Sequence, residues 1–128
     1  MRYLLDTHVF IGLDSTPSIL SPTVAQICRD PQNDLFLSHI SIWEMQIKIG
    51  ISKLSLAHPL PDAVKWQQEN NGLQLLPIVT QHIYALAQLP DHHRDPFDRL
   101  LIAQAQTEDL KLLSRDSEFK QYPIRVIW

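Results

Sequence analysis

A chain of 128 residues with 45% apolar content can build one buried core, so one site on one fold, a single domain over residues 1–128, is expected. The balance of 11 Lys and Arg against 14 Asp and Glu leaves a net charge of −3, which excludes a strongly basic nucleic-acid coat protein but leaves room for local basic patches. A lone cysteine, Cys28, excludes an internal disulfide, no apolar run approaches the ~20 residues of a membrane span, and no positively charged leader precedes the first apolar segment; a reducing, cytoplasmic location is the expectation.

Arg2–Leu5 is short, apolar and closed by Asp6-Thr7, which predicts a buried strand feeding a helix through His8–Leu13. Ser21-Pro22 combines an N-cap residue with proline at the first helical position, and Val24, Ile27 and Cys28 make one face of a second helix reaching Asp30-Pro31. Leu35–Ser38 reads as a strand, and Ser41-Ile42-Trp43-Glu44 has the spacing of a capping box opening a helix that stops at Gly50. Ile51–Pro61 reads as a connector into a helix over Pro61–Asn71, ended by Gly72. Leu73–Ile78 is another apolar strand, and after Thr80 a helical pattern groups Ile83, Leu86 and Ala87. Asp95-Pro96-Phe97-Asp98 opens the clearest helix, with Phe97, Leu100, Leu101 and Ala105 on one face, before strands at Lys111–Ser114 and Ile124–Ile127. Short apolar strands alternating with helices predict an α/β fold whose mostly parallel sheet is covered on both faces.

In such sheets ligands collect beyond the carboxyl ends of the strands, and here that edge is acidic. Asp6 ends the first strand, Glu44 lies on the first turn after the second, Asp98 opens the longest helix and Asp116 follows the fourth strand. Each has a plain structural role available: Asp6, Asp95 and Asp116 as N-caps, Glu44 as the reciprocal member of a capping box, and Asp98 favoured by the helix dipole. Capping accounts for each acid singly but not for their shared edge. Carboxylates gathered on one rim repel one another unless a cation lies between them, and an all-oxygen set suits Mg²⁺ or Mn²⁺. Such an ion activates water and neutralises charge on a phosphate, which is the chemistry of phosphodiester hydrolysis.

Four segments carry a family resemblance: Leu4-Leu5-Asp6-Thr7-His8, Ser41-Ile42-Trp43-Glu44, the run His93-Arg94-Asp95-Pro96-Phe97-Asp98-Arg99-Leu100-Leu101-Ile102-Ala103-Gln104-Ala105, and Leu112-Leu113-Ser114-Arg115-Asp116. Together and in this order they resemble the PIN-domain family, in particular the VapC-like toxins of bacterial type II toxin–antitoxin pairs. The resemblance implies a three-layer α/β/α sandwich that cuts single-stranded or loop RNA with Mg²⁺ or Mn²⁺ held by Asp6, Glu44, Asp98 and Asp116. Thr7 and Ser114 match small polar residues that support the acids, and Asp95 is a fifth acid that either supports the site or only caps its helix. The same resemblance implies a cognate antitoxin laid across the groove and a homodimer, for which Phe10 and Ile49 are candidate contacts.

Arg94, Arg99 and Arg115 stand beside these acids in sequence, either to grip RNA phosphates or to form ordinary surface pairs. Lys48 and Lys53 extend the same rim or occupy a solvated helix face. The six histidines show no helical zinc spacing, and His92-His93 are neighbours in a loop. Trp43, Trp66 and Trp128 are assigned no chemistry, Trp43 being expected in the core. A receiver domain is excluded by the absence of Asp after the third strand, where Leu76-Pro77-Ile78-Val79-Thr80 stands. A haloacid-dehalogenase-type phosphatase is excluded by the missing second acid in Asp6-Thr7-His8, and Gly12, Gly50 and Gly72 form no phosphate cradle. The rival of a different class is a PIN-like domain that binds RNA or protein without cutting it.

Overall fold

The computed structural model describes every residue from Met1 to Trp128. Strands β1 (Arg2–Leu5), β2 (Asp34–Ser38), β3 (Gln74–Leu76), β4 (Lys111–Leu113) and β5 (Val126–Ile127) form one sheet in the order β3-β2-β1-β4-β5, with every neighbouring pair parallel. The helices are α1 (Thr7–Ser15), α2 (Pro22–Arg29), α3 (His39–Gly50), α4 (Leu60–Asn71), α5 (Thr80–Ala85) and α6 (Pro96–Thr107). None is long and apolar enough to cross a membrane.

Alternation along the strands builds the expected sandwich. Leu5 pairs in register with Leu37 and Leu113, and these side chains join Val9 and Phe10 of α1, Val24 of α2, Met45 of α3 and Ala63 of α4 in one core layer. Leu4 and Leu112, one residue out of phase, point to the opposite face and meet Ile40, Leu101, Ile102, Ala105 and Phe119. Both faces of the central strands are therefore dry, which is why β1 after Arg2 and β4 after Lys111 are continuously apolar rather than alternating. Each fully buried leucine contributes roughly 1.5–3 kcal/mol relative to exposure. Gly12 lets Leu20 and Ile19 pack onto α1: a Cβ there would come within 2.8 Å and 2.9 Å of their side chains.

Local signals set several boundaries as expected. Ser21 caps α2 by accepting from the Val24 N–H at 3.1 Å, and Gly72 closes α4 in the left-handed region at φ 63°. Other expectations fail for identifiable reasons. Ser38, not Ser41, caps α3, its Oγ accepting from the Ile40 N–H at 3.0 Å; Ser41 is buried inside the helix and no capping box forms. Glu44 therefore lies a turn deeper than predicted and has no capping duty. The buried side of α5 is His82 rather than Ile83, which is 50% exposed, because the ring turns inward and its Nδ1 accepts from the Val79 N–H at 3.1 Å. Trp43 is exposed, not core, and rests against Phe97 with ring centroids 5.0 Å apart. Phe10 is fully buried, which removes it as a dimer contact.

Candidate active site

The chain winds from β1 outward through β2 to β3, then returns to β4 on the other side of β1. The carboxyl ends of β1 and β4 are thus the topological switch point, where diverging connections leave a crevice. Asp6 follows β1 directly. Its backbone N–H donates to the Leu113 carbonyl of β4 at 3.0 Å, and its Oδ1 caps α1 by accepting from the Thr7 N–H at 2.8 Å. From the β4 side, Ser114 donates to Asp6 Oδ2 at 2.6 Å and accepts from the Asp116 N–H at 3.0 Å. Glu44 reaches the crevice from α3, taking a 2.6 Å hydrogen bond from Thr7 Oγ1 and standing 3.3 Å from Lys48 Nζ. Asp95 Oδ1 caps α6 at the Phe97 N–H, 2.8 Å, which sets Asp98 one turn in and facing the same space.

Capping and convergence are therefore compatible. In Asp6, Asp95 and Asp116 the cap engages Oδ1 and fixes the rotamer, leaving Oδ2 free for other partners. All five acids, Asp6, Glu44, Asp95, Asp98 and Asp116, line one open cleft of about 540 Å³ together with His8, Lys48 and Arg115.

The electrostatics follow from this crowding. Burial, then the negative charges of Asp95, Asp6, Glu44 and Asp116, push the Asp98 carboxyl up to about 7. Burial also disfavours the charge on Asp6, but hydrogen bonds from His8 and Ser114, the charge of His8 and the Thr7 N–H outweigh it and hold Asp6 below its ordinary value. One acid is thus held ionised while a neighbour retains a proton near neutrality, which is the signature of a cluster with a charge deficit.

The basic residues divide. Arg115 and Lys48 line the cleft, whereas Lys53 and the exposed Arg94 do not. Arg99 turns away: it donates to the Pro90 carbonyl at 3.0 Å and the Leu86 carbonyl at 3.3 Å, tying the loop before α6 to the helix, and is corrected here from a phosphate contact to a structural clamp. Two histidines escaped sequence reasoning. His8 Nε2 lies 3.2 Å from Asp6 Oδ2, and its signal was its place two residues after Asp6 in the first turn of α1. His93 is buried between Phe119, stacked at 5.0 Å, and Tyr122, whose Oη is 3.0 Å from its Nδ1. Its Nε2 has no hydrogen-bond partner and lies 3.7 Å from Asp116 Oδ2. No helical spacing announces a loop residue, so no pattern search finds it.

A family model for the PIN domain matches residues 3–124. Among solved structures, the chain is similar to VapBC2 from Rickettsia felis bound to a promoter DNA fragment (TM-score 0.70, 17% identity, 99% of this chain and 98% of that one). It is similar to DNA-bound VapBC from Salmonella typhimurium (TM-score 0.69, 18% identity, 99% and 97% covered) and to a toxin–antitoxin complex from Klebsiella pneumoniae (TM-score 0.61, 19% identity, 98% and 96% covered). No curated protein sequence matches the chain. A five-stranded parallel sheet between helical layers, an acidic crevice at its switch point and a family match spanning almost every residue agree: the chain belongs to the PIN domain family.

Proposed function

We propose that this chain is a divalent-cation-dependent endoribonuclease, the toxin of a toxin–antitoxin pair, working as a single domain in the cytoplasm. The observation that carries this reading is the convergence of five carboxylates on one cleft, with Asp98 pushed up to about 7 by burial and then by the other four. Carboxylates held this close without a cation destabilise one another, and Mg²⁺ or Mn²⁺ matches an oxygen-rich donor set that leaves room for a phosphate. The residues fit such an ion: Asp6, Glu44, Asp98 and Asp116 would hold it, with Asp95 at the margin. When bound, it supplies an activated water and neutralises charge on the scissile phosphate.

The rest of the chemistry belongs to the chain. Ser114 and Thr7 donate to Asp6 and Glu44, fixing the oxygens they do not engage. Lys48 balances Glu44 and orients it across the cleft. Arg115, at the rim, is suited to a phosphate of the RNA backbone, which a chain of net charge −3 must meet locally. Arg94, exposed just outside the cleft, would meet the strand only farther along. The exposed Trp43, backed by Phe97 one position from Asp98, offers a flat apolar surface on which an unpaired base can stack, which supports a single-stranded or looped substrate.

Trp43, Ile47 and Ile51 are spaced four apart on and just beyond α3 and are 55%, 40% and 57% exposed, an apolar stripe leading away from Glu44. That stripe supports a protein partner, the antitoxin, whose chain would run from it into the cleft. Ile83 and the neighbouring Tyr84 form a separate exposed apolar pair on α5, suited to a second copy in a homodimer.

The test is cleavage of total RNA by the partner-free chain with Mg²⁺ or Mn²⁺, beside an EDTA control and Asp98→Asn. Cleavage confined to the metal-loaded wild type is expected, with the variant slowed about 100-fold or more. RNA left intact by a chain that neither binds Mn²⁺ nor cuts would leave the acids as caps and favour binding without catalysis.

A further inference from the structure

Beyond the four acids that hold the cation in the reading above, a buried histidine nitrogen beside Asp116 has no hydrogen-bond partner. His93 presents only 5% of its side chain to solvent, and its Nε2 makes no hydrogen bond. A buried polar atom left without a partner calls for a physical reason. The ring is held from every other side. It stacks on Phe119 at an interplanar angle of 12°, and Nδ1 is 3.0 Å from Tyr122 Oη, so its direction is fixed. Nε2 faces Asp116 Oδ2 and Glu118 Oε2, each at 3.7 Å, too far for a hydrogen bond to either. Ligand atoms of His93, Asp98 and Asp116 all lie within 4.8 Å of one another.

With Nδ1–H donating to Tyr122 Oη, the lone pair on Nε2 points at the two carboxylates. That is the arrangement in which an imidazole serves as a metal ligand, its far nitrogen occupied by a second partner. Donor atoms sharing one cation stand about 3–4 Å apart when each bond is roughly 2.1 Å, which fits the gap that the hydrogen-bond criterion leaves open.

We infer that His93 Nε2, Asp98 and Asp116 form a nitrogen-containing cation position at the Asp116 side of the cleft, selective for a first-row transition ion such as Mn²⁺ over Mg²⁺. The inference rests on the cation-binding reading of the acids and adds a ligand and a selectivity to it. Imidazole is a good ligand for transition ions and a poor one for Mg²⁺, which takes oxygen and water. The other imidazole near the acids, His8, has its Nε2 engaged with Asp6, Ser114 and the Arg115 backbone N–H.

The test is pulsed electron paramagnetic resonance on the metal-stripped full chain loaded with Mn²⁺, paired with calorimetric titration of Mn²⁺ and of Mg²⁺. The expected result is nitrogen hyperfine coupling to bound Mn²⁺ that changes to the ¹⁵N pattern on histidine labelling, disappears in His93→Gln and persists in His8→Gln. His93→Gln should lose about tenfold or more in Mn²⁺ affinity while Mg²⁺ affinity changes by less than about threefold. Mn²⁺ bound by the wild type with no nitrogen coupling, or with coupling removed only by His8→Gln, overturns the inference and leaves the acidic site standing. No Mn²⁺ binding at all overturns both. Because the wild-type spectrum alone can contradict the inference, it stays testable even if His93→Gln, which loses the stack on Phe119, folds poorly.

Discussion

The two ends of the sheet differ in a way that volume alone misrepresents. The larger hollow, about 720 Å³, lies at the amino ends of β1, β4 and β5, among Arg2, Lys111 and Arg125; the acidic cleft at the carboxyl ends is about 540 Å³. At the amino end charges are accommodated one by one. Arg2 donates to the Glu108 carbonyl at 3.0 Å and lies over the Phe36 ring, and Lys111 lies over Tyr3. At the carboxyl end five acids share a space, and burial together with the charges of the other four raises the proton affinity of Asp98. What marks a site is an unbalanced cluster at the switch point, where the strand connections diverge, rather than the size of the nearest cavity.

Neutralising the acids should separate the two ends of the sheet most visibly. Asp6→Asn is expected to slow RNA cleavage about 100-fold or more with unchanged far-ultraviolet circular dichroism, a loss read in a time course at saturating Mn²⁺. The same end also depends on polar groups packed behind the acids. Gln104 is fully buried and accepts from Ser38 Oγ, so Gln104→Leu strands the Ser38 hydroxyl proton in the core and should cost about 1–3 kcal/mol in urea unfolding.

A pH series on metal-free protein sharpens the electrostatic half. Folding raises the Asp98 pKa from 3.8 to about 7, so its favourable contribution is complete below pH 3.8 and is lost as pH rises through about 7. Asp98→Asn has no charge to strand and should be more stable than the wild type at pH 8. The gain is on the order of 1 kcal/mol once the screening of a half-exposed group is allowed for, and it vanishes near pH 4. Equal stability at pH 8 would contradict the crowding.

Smaller effects separate the basic residues. Arg115→Ala should raise KM about threefold to tenfold with little change in kcat, as expected of a phosphate contact. Lys111→Ala, at the amino end, should change cleavage by less than about twofold.

How much of this was legible in sequence depended on how local each signal was. The apolar run ended by Asp6, the Ser21-Pro22 start and the Gly72 stop act through neighbouring residues and stand where the sequence analysis put them, and β4 stops one residue short of the expected Ser114. The acids were legible for the same reason, since topology alone carries strand ends to one edge. The start of α3 was not. Both Ser38 and Ser41 are competent caps, and the choice falls to Ser38 because β2 pairs with β3 only as far as Ser38–Leu76, where the chain turns into the helix. Arg99, next to Asp98 in sequence, points elsewhere because side chains one apart on a helix do not share a face. His93 was hidden most completely: Phe119 and Tyr122, far along the chain, fix its ring, and loop residues carry no periodicity to read.

The acidic crevice, on this reading, is built around a cation. The most direct test is a calorimetric Mn²⁺ titration of the wild-type chain at pH 7 in buffers of different ionisation enthalpy. With Asp98 near its midpoint, binding should release about half a proton, and Asp98→Asn should abolish that release. Binding without proton release would contradict the role assigned to Asp98, and the absence of any binding would contradict the claim itself.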